Sequence, residues 1–472
     1  MKVLLINPPN FKHIGSVLPD EVENERGFNP PLGLLYLAGY LQRESPQVEI
    51  MIIDSLAEAL NYDQIKKKIE DFSPDILGVT VMSFTLLDSL EIAKATKQIN
   101  PNIKVVFGGP HVNIYSRETL DLGMIDFIVL GEGERIFNTL VNNIDNEEVL
   151  KQTRGLVFYD QNKEFIHTGL PDLIDNLDEL ALPARNLIDN NLYSSVLGTS
   201  KLVTTVMTSR GCPYKCSFCD RPHLGKVFRA RSADDVLKEI KDCMKYGIRE
   251  FLMYDDTFTI DRQRVIDVCN KIINEKLKIR WDVRARVNTI DEELLKKLKE
   301  AGCVRIHYGV ESGTQKILDV LRKGITLRQV EDAFRLTRKV GIEILAYFMI
   351  GNPGETNSDI EETIRFAKSL KPDYVHITAT VPFPATDLYK MALEQRIIAS
   401  DVWLEFAKSP TQDFCPPLWE EKVKAQELQD YIKKAYHQFY FRPGYLIKRL
   451  FALKSFEELK IKVKAALGIL KI

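Results

Sequence analysis

The sequence predicts an α/β protein with three parts: an N-terminal doubly wound Rossmann-like domain, a partial (β/α)6 TIM-type barrel and a C-terminal helical tail. Two observations predict it. Short apolar runs without inside–outside alternation recur between amphipathic helical patterns, which is typical of parallel strands buried on both faces. The chain has 472 residues, too many for one hydrophobic core, so two or three domains are expected.

The composition excludes several classes of protein. The formal net charge of −2 gives no polycation for nucleic acid. Seven cysteines in a chain of this length do not resemble a secreted disulfide framework. No apolar stretch reaches the length of a membrane span, and the start 1-MKVLLINPPN-10 does not resemble a signal peptide. The sequence therefore predicts a cytoplasmic protein with reduced thiols.

Residues 1–140 are predicted to form the first domain. Candidate helices are 33–44 and 88–99, and the candidate strands are 2–7, 48–54, 76–82, 103–109 and 125–131. Small residues gather where these strands end, where ligands of such domains bind. They include Ser83, Thr85, Gly108, Gly109, Gly131 and Glu132. No G-x-G-x-x-G follows the first strand, which argues against a dinucleotide site.

Three further regions complete the predicted organisation. Residues 141–200 form a linker with a hairpin near 155–165, and residues 201–395 form the barrel. Residues 396–472 form a helical, basic and amphipathic C-terminal region. The barrel strands are predicted at 202–208, 249–256, 279–286, 303–311, 344–351 and 373–381. In such barrels the chemistry collects at the C-terminal ends of the strands.

The stretch 210-RGCPYKCSFCD-220 holds three cysteines, Cys212, Cys216 and Cys219, just after the first barrel strand. A structural zinc site takes four ligands, so a zinc site would need a distant partner such as His223, Cys243 or Cys415. The alternative is a [4Fe–4S] cluster, which thiolates hold. Three thiolates leave one iron open to a substrate or cofactor.

The C-x3-C-x2-C spacing resembles the radical S-adenosylmethionine superfamily. That resemblance implies an open iron that chelates S-adenosylmethionine, whose one-electron cleavage gives a 5′-deoxyadenosyl radical. It also implies that Cys212, Cys216 and Cys219 are the catalytic cluster ligands. Residues at successive strand ends would bind S-adenosylmethionine: Phe218, Asp255, Asp256, Arg286 (with Arg284 as its alternative), Glu311, Ser312, Gly351 and Gly354.

The first domain resembles cobalamin-binding domains, which carry a small hydroxyl residue after the third strand and a Gly-Gly pair after the fourth. The resemblance implies cobalamin contacts for Ser83, Thr85, Gly108, Gly109, Gly131 and Glu132. The sequence lacks D-x-H-x-x-G, so the ligand of the lower cobalt face is left open. His13 is one candidate for that ligand, and His111 is a turn or pocket residue. The order of domains resembles the cobalamin-dependent radical S-adenosylmethionine enzymes.

That resemblance implies a methyltransferase acting on an unactivated carbon of a small-molecule, lipid or tetrapyrrole substrate. The alternative is oxidative cyclisation, as in the anaerobic magnesium-protoporphyrin IX monomethyl ester cyclase. A non-catalytic cobalamin or iron–sulfur sensor stays open as a third hypothesis. A methylthiotransferase is excluded because no cysteine precedes Cys212 to hold its second cluster. A flavodoxin- or ferredoxin-type protein is the implied one-electron reductant.

The remaining cysteines and the tail carry separate expectations. Cys243, Cys269 and Cys303 fall in helix or strand patterns and are predicted to be buried structural thiols. Cys415 lies in a predicted loop, where it either faces solvent or the pocket. From Phe441 onward, basic residues outnumber acidic ones and leucines recur at helical spacing. This pattern predicts a helical cap on the barrel, or a helix lying on an anionic membrane surface.

Overall fold

The computed structural model describes residues 1–14, 27–195, 197–198, 202–220 and 226–451. Two large sheets organise it, one of seven strands and one of six. Helices cover both faces of the first sheet and one face of the second. The predicted fold class is confirmed.

The first sheet has five parallel strands and an antiparallel hairpin, in the order β3-β1-β4-β5-β6-β7-β8. Its strands are β1 (Lys2–Asn7), β3 (Glu49–Asp54), β4 (Ile76–Thr80), β5 (Lys104–Gly108), β6 (Phe127–Val129), β7 (Leu156–Tyr159) and β8 (Phe165–His167). A short strand β2 (Gly27–Phe28) pairs with β9 (Ser194–Ser195) outside this sheet. β1 pairs in parallel with both β3 and β4, so the strand order reverses between β1 and β4. Ligands of doubly wound domains bind at such a switch point.

Within the described residues, seven α-helices belong to this domain. They are α1 (Leu32–Glu44), α2 (Tyr62–Phe72), α3 (Leu86–Ile99), α4 (Pro110–Ile114), α5 (Ser116–Leu120), α6 (Gly133–Asn142) and α7 (Glu147–Gln152). The central strands read as continuous apolar runs because helices bury both faces. The hairpin β7–β8, predicted as part of the linker, extends this sheet because β7 pairs antiparallel with β6.

The second sheet is an open barrel of six parallel strands in sequential order. Its strands are β10 (Val203–Val206), β13 (Glu250–Met253), β14 (Arg280–Ala285), β15 (Cys303–Glu311), β16 (Glu343–Ile350) and β17 (Tyr374–Ala379). Its helices are α8 (Ala233–Lys245), α9 (Arg262–Asn274), α10 (Glu292–Glu300), α11 (Gln315–Val320), α12 (Leu327–Val340) and α13 (Asn357–Ser369). A two-stranded ribbon, β11 (Ser209–Arg210) with β12 (Arg229–Ala230), follows β10.

The barrel helices begin where the sequence supplies a capping oxygen. The Ser232 side chain accepts from the Asp235 amide at the start of α8, and the Asp261 side chain accepts from the Arg264 amide at the start of α9. Such caps satisfy amide groups that have no partner inside the helix. They fix the strand-to-helix turns at the barrel mouth.

Four helices follow the barrel: α14 (Asp387–Glu394), α15 (Val402–Lys408), α16 (Ala425–Tyr440) and α17 (Pro443–Phe451). α16 packs on the barrel core through Leu428 and Ile432. Trp403 of α15 joins Tyr115 of the first domain in a separate apolar cluster that bridges the domains. No helix in the described part of the chain is long and apolar enough to cross a membrane. The predicted basic tail beyond Phe451 lies outside the described residues.

Cys243, Cys269 and Cys303 are buried in the barrel core, which confirms their prediction as structural thiols. Burial raises the pKa of Cys243 and of Cys269 to about 12. Cys243 therefore does not complete a zinc site with the cysteine motif, because it lies among apolar side chains of α8. Cys415 is exposed on its loop, and His223 lies outside the described residues.

Candidate functional site

The three motif cysteines lie on the loop that follows β11, at the C-terminal end of the barrel strands. Cys216 is buried, Cys212 is partly exposed and Cys219 is exposed. Main-chain hydrogen bonds hold the centre of the loop: the Ser217 amide donates to the Leu321 carbonyl, and the Leu388 amide donates to the Ser217 carbonyl. Cys219 is the cysteine nearest to solvent, where a cluster can be loaded.

Arg286, at the end of β14, reaches into this loop. Its Nη1 donates to Cys216 Sγ at 3.5 Å, its Nη2 donates to the Lys323 carbonyl, and its guanidinium lies 3.7 Å from the ring centroid of Tyr214. A cation that donates to a sulfur atom stabilises the thiolate form, which is the form that binds iron. The residue predicted to bind S-adenosylmethionine thus also holds the cysteine loop.

Cys212 lies in a different electrostatic environment. Burial is the largest cause that raises the pKa of its thiol, and the neighbouring Asp256 and Cys216 raise it further. Metal binding displaces such protons. Among the described residues, no three His, Cys, Asp or Glu side chains converge on one metal ion. A four-iron cluster does not need that convergence, because its thiolates bind separate irons.

The two adjacent aspartates after β13 have different environments. Asp255 is fully buried, and its carboxylate accepts hydrogen bonds from the amides and hydroxyls of Thr208 and Ser209 at 2.6 to 3.1 Å. Asp255 therefore ties the end of β13 to the segment that joins β10 and β11, and its predicted contact with S-adenosylmethionine stays a prediction. Asp256 is exposed at the barrel mouth near Cys212. Its predicted contact with the methionine amino group stays a prediction.

Glu311 ends β15 with a positive φ of 75°, an uncommon backbone angle for a non-glycine residue. Its Oε1 accepts from Lys323 Nζ at 2.6 Å, and Lys323 Nζ also lies 5.7 Å from the ring centroid of Phe218. A Cβ on Gly309 would come within 2.5 Å of Glu311 Oε1 and 2.8 Å of Lys323 Nζ, so a side chain there would displace the ion pair. The ion pair therefore lies directly beside the cysteine loop.

Three other residues that were predicted to contact S-adenosylmethionine also make contacts within the protein. The Ser312 hydroxyl is buried and contacts the Thr363 hydroxyl at 3.2 Å. A Cβ on Gly351 would meet Leu428 of α16 at 2.7 Å, so this glycine permits helix packing. The Gly354 amide donates to Glu421 Oε2 at 2.8 Å, while the space above its Cα is open. Gly354 is thus the glycine of this stretch that a ligand can approach.

The loop after β6 faces the barrel, and its two glutamates meet two arginines. Glu132 accepts from Arg229 at 2.6 and 2.9 Å, and Glu134 accepts from Arg210 at 2.5 Å. All four side chains are buried. Burial alone would raise the pKa of Glu132, but Arg229 and Arg210 hold it below its ordinary value. Glu132 therefore joins the domains, and its predicted cobalamin contact stays a prediction.

Arg210 and Arg229 did not stand out in the sequence. Arg210 lies two positions before Cys212, so its pair with Glu134 fixes the cysteine loop against the carboxyl end of the first sheet. The sequence contains two arginines that flank the cysteine motif and two glutamates in 131-GEGE-134. These residues are far apart along the chain, and only the folded structure brings them into contact. This contact makes the C-terminal ends of the two sheets face each other.

A second buried group of charges lies behind this contact. Glu239 of α8 accepts from Arg185 at 2.7 Å and also from Arg231, and the Tyr36 hydroxyl of α1 joins them. Isolated buried charges are costly, so this group is retained only because its members satisfy one another. It connects the first domain, the segment after the hairpin and the barrel.

At the carboxyl end of the first sheet, the predicted cobalamin residues meet one another. Ser83 Oγ lies 3.0 Å from His111 Nδ1, and Thr85 Oγ1 accepts from the Met82 amide at 3.2 Å. Burial lowers the pKa of His111 to about 4, and its Nε2 has no partner in the described structure. His13 stacks on Phe84 with ring centroids 5.5 Å apart, and its Nδ1 is also buried without a partner.

The predicted glycines shape this edge. Gly109 has φ 106°, and a Cβ there would come within 2.9 Å of the Val81 carbonyl oxygen. Gly131 has φ 64° and packs against Pro171, while its amide donates to Asn113 Oδ1 at 2.7 Å. A Cβ on Gly108 would lie 3.6 Å from the Val129 carbonyl oxygen, an ordinary contact. Gly109 and Gly131 permit the tight turns after β5 and β6, and the predicted cobalamin contacts of all three glycines stay predictions.

The edge also exposes large apolar side chains beside the switch point. Phe11, in the loop after β1, is 53% exposed, and Met82, directly after β4, is 51% exposed. Exposed apolar surface beside a crevice is typical of a binding site. Together with the unpartnered nitrogens of His13 and His111, it fits a large cofactor with an apolar ring and polar edges. The residues present therefore fit cobalamin here and an iron–sulfur cluster on the cysteine loop.

Comparison with known proteins agrees with this geometry. The family described as the radical SAM superfamily matches residues 206–367, and the family described as the B12 binding domain matches residues 22–141. An uncharacterized methyltransferase of Pyrococcus horikoshii is 36% identical over 475 residues, covering 100% of this chain and 98% of that protein. The B12 match covers β3 to β6 of the first sheet, and the radical SAM match covers β13 to β16 of the second.

Two further similarities extend over most of the chain. The anaerobic magnesium-protoporphyrin IX monomethyl ester cyclase of Rubrivivax gelatinosus is 28% identical over 454 residues, covering 94% of this chain and 78% of the cyclase. The solved structure of the cobalamin-dependent S-adenosylmethionine radical enzyme OxsB, with aqua-cobalamin and S-adenosylmethionine bound, superimposes with a TM-score of 0.75 at 20% identity. That alignment covers 99% of this chain and 72% of OxsB, and it shows a shared fold.

Proposed function

Because the chain belongs to the family of radical S-adenosylmethionine enzymes that carry a cobalamin-binding domain, we propose that it methylates an unactivated carbon of its substrate. Its cofactors are a [4Fe–4S] cluster, S-adenosylmethionine and cobalamin. When bound, they supply the electron, the radical and the methyl carrier, and the protein supplies binding and orientation. The substrate is a small molecule, a lipid or a tetrapyrrole.

One observation carries this proposal: the buried pairs Glu132–Arg229 and Glu134–Arg210 join the carboxyl end of the first sheet to the cysteine loop. A radical enzyme with a separate methyl carrier must bring substrate, carrier and radical source together. The contact fixes the two cofactor sites on facing edges, with the barrel mouth between them. A sensor has no need of this arrangement.

The chain's own residues then have distinct tasks. Arg286 orients the cysteine loop through Cys216 and Tyr214. Asp256 and Glu311 offer carboxylates at the mouth, where we propose that they contact the amino group and ribose of S-adenosylmethionine. The bridging cluster around Trp403 and Tyr115 excludes water from one side of the space between the domains. Exclusion of water strengthens every electrostatic interaction in such a site.

Product analysis tests the methyl transfer. The protein, reconstituted without oxygen and supplied with cobalamin, is incubated with methyl-labelled S-adenosylmethionine, a chemical reductant and candidate substrates. Methylation by a radical route releases both 5′-deoxyadenosine and S-adenosylhomocysteine and places the label in the product. Release of 5′-deoxyadenosine with no S-adenosylhomocysteine and no label would contradict the proposal.

The same assay tests the second candidate function, oxidative cyclisation. The similarity to the Rubrivivax cyclase over 94% of this chain favours it. Cyclisation removes hydrogen from the substrate and closes a ring without adding a methyl group, so the methyl label stays out of the product. A product heavier by one labelled methyl group excludes this function for that substrate.

We also propose a flavodoxin- or ferredoxin-type electron donor in the cytoplasm, and contact of the C-terminal helix with the inner face of the membrane. Leu446 and Ile447 on α17 are 48% and 56% exposed, and basic residues follow them in the sequence. Deletion of residues 451–472 is expected to abolish flotation with anionic vesicles. Unchanged flotation of the shortened protein would contradict the membrane contact.

A further inference from the structure

Polar side chains line the interior of the barrel, where the alternation of each strand directs them. On β14, Trp281, Val283 and Ala285 pack into the core beneath the helices. The alternate residues Asp282 and Arg284 therefore point inward. The register places Arg284 beside His307 of β15, and Tyr347 of β16 beside His376 of β17. These residues form one tier across the barrel.

The tier below is closed by ion pairs. Arg305 Nη1 donates to Asp282 at 2.7 Å, and Arg305 Nη2 donates to Glu343 at 2.8 Å. The Arg305 guanidinium also lies 5.1 Å from the ring centroid of Tyr374. Acid and base thus pair at the floor of the barrel, although Asp282 Oδ1 and Arg305 Nε have no hydrogen-bond partner in the described structure.

The Arg284 tier lies between this floor and the cysteine loop. The Arg284 guanidinium lies 4.1 Å from the ring centroid of Tyr254, and the Tyr347 hydroxyl lies 3.1 Å from His307 Nδ1. The Tyr347 and His376 rings are 5.5 Å apart. Arg284, Tyr347 and His376 are partly exposed although they lie inside the barrel, so water reaches them from the mouth.

Arg284 is an exception among the enclosed cations. In the described part of the chain, no carboxylate lies within 4.0 Å of it, and Asp256 acts on it only from farther away. Arg286 donates to Cys216 Sγ. Each of the buried arginines that follow is paired with a carboxylate: Arg185, Arg210, Arg229, Arg231, Arg264 and Arg305.

We propose that Arg284 binds an anionic group of the substrate, a carboxylate or a phosphate, inside the barrel. An enclosed guanidinium without a carboxylate is a receptor for such groups, because its fork matches their geometry. Tyr254 lies against the guanidinium and is also its side-chain hydrogen-bond partner. A guanidinium has five N–H donors, so others are left for an anion. The neutral ring of His307 and the Tyr347 hydroxyl complete a polar wall. This inference rests on the proposed function and narrows its substrate to an anionic molecule.

Binding of two simple anions tests the site. Carbon-13-labelled acetate and inorganic phosphate are titrated into the S-adenosylmethionine-bound holoenzyme, and the NMR line widths of each anion report binding. Arg284→Gln is expected to weaken binding at least about tenfold, the usual effect of losing a charge-assisted hydrogen bond. Arg284→Lys is expected to retain part of it. Arg328→Gln, on the exposed face of α12, is the matched control and is expected to bind like the wild type.

The outcomes separate the alternatives. Arg284-dependent binding of acetate identifies a carboxylate site, and Arg284-dependent binding of phosphate identifies a phosphate site. Unchanged binding in Arg284→Gln, or no binding by the wild type, would overturn the proposal. An equal loss of S-adenosylmethionine affinity would also overturn it, because Arg284 would then hold that cofactor. Failure to release 5′-deoxyadenosine, with anion binding intact, would sink the proposed function and leave the anion site standing.

Discussion

The contact between the two domains and the mouth of the barrel use the same types of side chain for opposite purposes. At the contact, Glu132 and Glu134 meet Arg229 and Arg210, and every buried charge has its counterpart. At the mouth, three thiols lie on one loop, Asp256 approaches Cys212 from the segment after β13, and Arg284 lies inside without a carboxylate of the described chain within 4.0 Å. The charges of the first region are all paired within the protein. The groups of the second region are placed to bind a cofactor or a substrate.

This difference separates structural charges from functional ones. Removing one partner of a buried ion pair lowers the free energy of unfolding strongly, because the other charge is left buried and unpaired. An unmatched group at a site is tolerated because ligand binding supplies the missing interaction. Changes at the contact are therefore expected to lower stability, whereas changes at the mouth are expected to abolish chemistry and leave the fold in place.

The largest expected effect is at the mouth. Cys216→Ala removes one thiolate from the cluster, so iron content is expected to fall towards zero and 5′-deoxyadenosine release to fall below detection. The measurement is iron content and nucleoside release after reconstitution. Cys415→Ala, which alters an exposed cysteine elsewhere, is the control and is expected to match the wild type. A Cys216→Ala protein that keeps its iron would show that Cys216 is not a ligand of the cluster.

The next effect is at the contact. Arg229→Gln removes the closest charged partner of the buried Glu132 and leaves only Arg210, whose Nη1 lies 3.6 Å from Glu132 Oε1, so the expected loss of stability is about 3 kcal/mol. Urea unfolding measures it. Arg135→Gln breaks the exposed pair Arg135–Glu179 beside the same loop, with an expected loss below about 1 kcal/mol.

A double variant sharpens this result. Glu132→Gln combined with Arg229→Gln is expected to lose less than the sum of the single losses, because no charge is then left buried and unpaired. Additive losses would show that the two side chains do not act as a pair.

A pH effect tests the buried His111. Its pKa is about 4 in the folded protein and 6.5 ordinarily, so the unfolded chain takes up its proton first as pH falls. The free energy of unfolding is expected to drop by about 3 kcal/mol between pH 7 and pH 4 through this group. His111→Gln removes that component, and His167→Gln, at an exposed position, does not. Identical pH profiles of the wild type and His111→Gln would refute it.

The smallest effect is a single hydrogen bond. Ser83→Ala leaves His111 Nδ1 without its partner and is expected to lower stability by about 1 kcal/mol. Because both residues lie at the predicted cobalamin edge, cobalamin affinity is measured on the same variant. Thr139→Ala, which removes an exposed hydroxyl on α6, is the control. A Ser83→Ala protein as stable as the wild type would mean that the bond contributes nothing.

The fold followed closely from local patterns. The predicted strand 2–7 is β1, because a continuous apolar run buried on both faces has few alternatives. The predicted strand 303–311 is β15, although the polar residues Arg305 and His307 interrupt its apolar run. The hairpin β7–β8 was recognised, but its pairing with β6 was not. Antiparallel pairing to a sheet edge depends on the position of that edge, which no local pattern contains.

The site was predictable where residues are close in sequence and not where they are distant. The C-x3-C-x2-C spacing alone was enough to predict the three cluster cysteines, Cys212, Cys216 and Cys219. Glu132 was predicted to contact cobalamin, and its ion pair with Arg229 was not predicted because the two residues lie far apart along the chain. Asp255 and Asp256 are neighbours in sequence, and only the hydrogen bonds to Thr208 and Ser209 separate the structural carboxylate from the exposed one.

Metal content tests the central claim, that two cofactor sites face each other across one contact. Protein reconstituted without oxygen and with cobalamin is expected to hold about four irons and about one cobalt per chain. A variant with all three motif cysteines changed to alanine is expected to keep the cobalt and lose the iron. Iron without cobalt in the wild type would contradict the account, because the first domain would then hold something else.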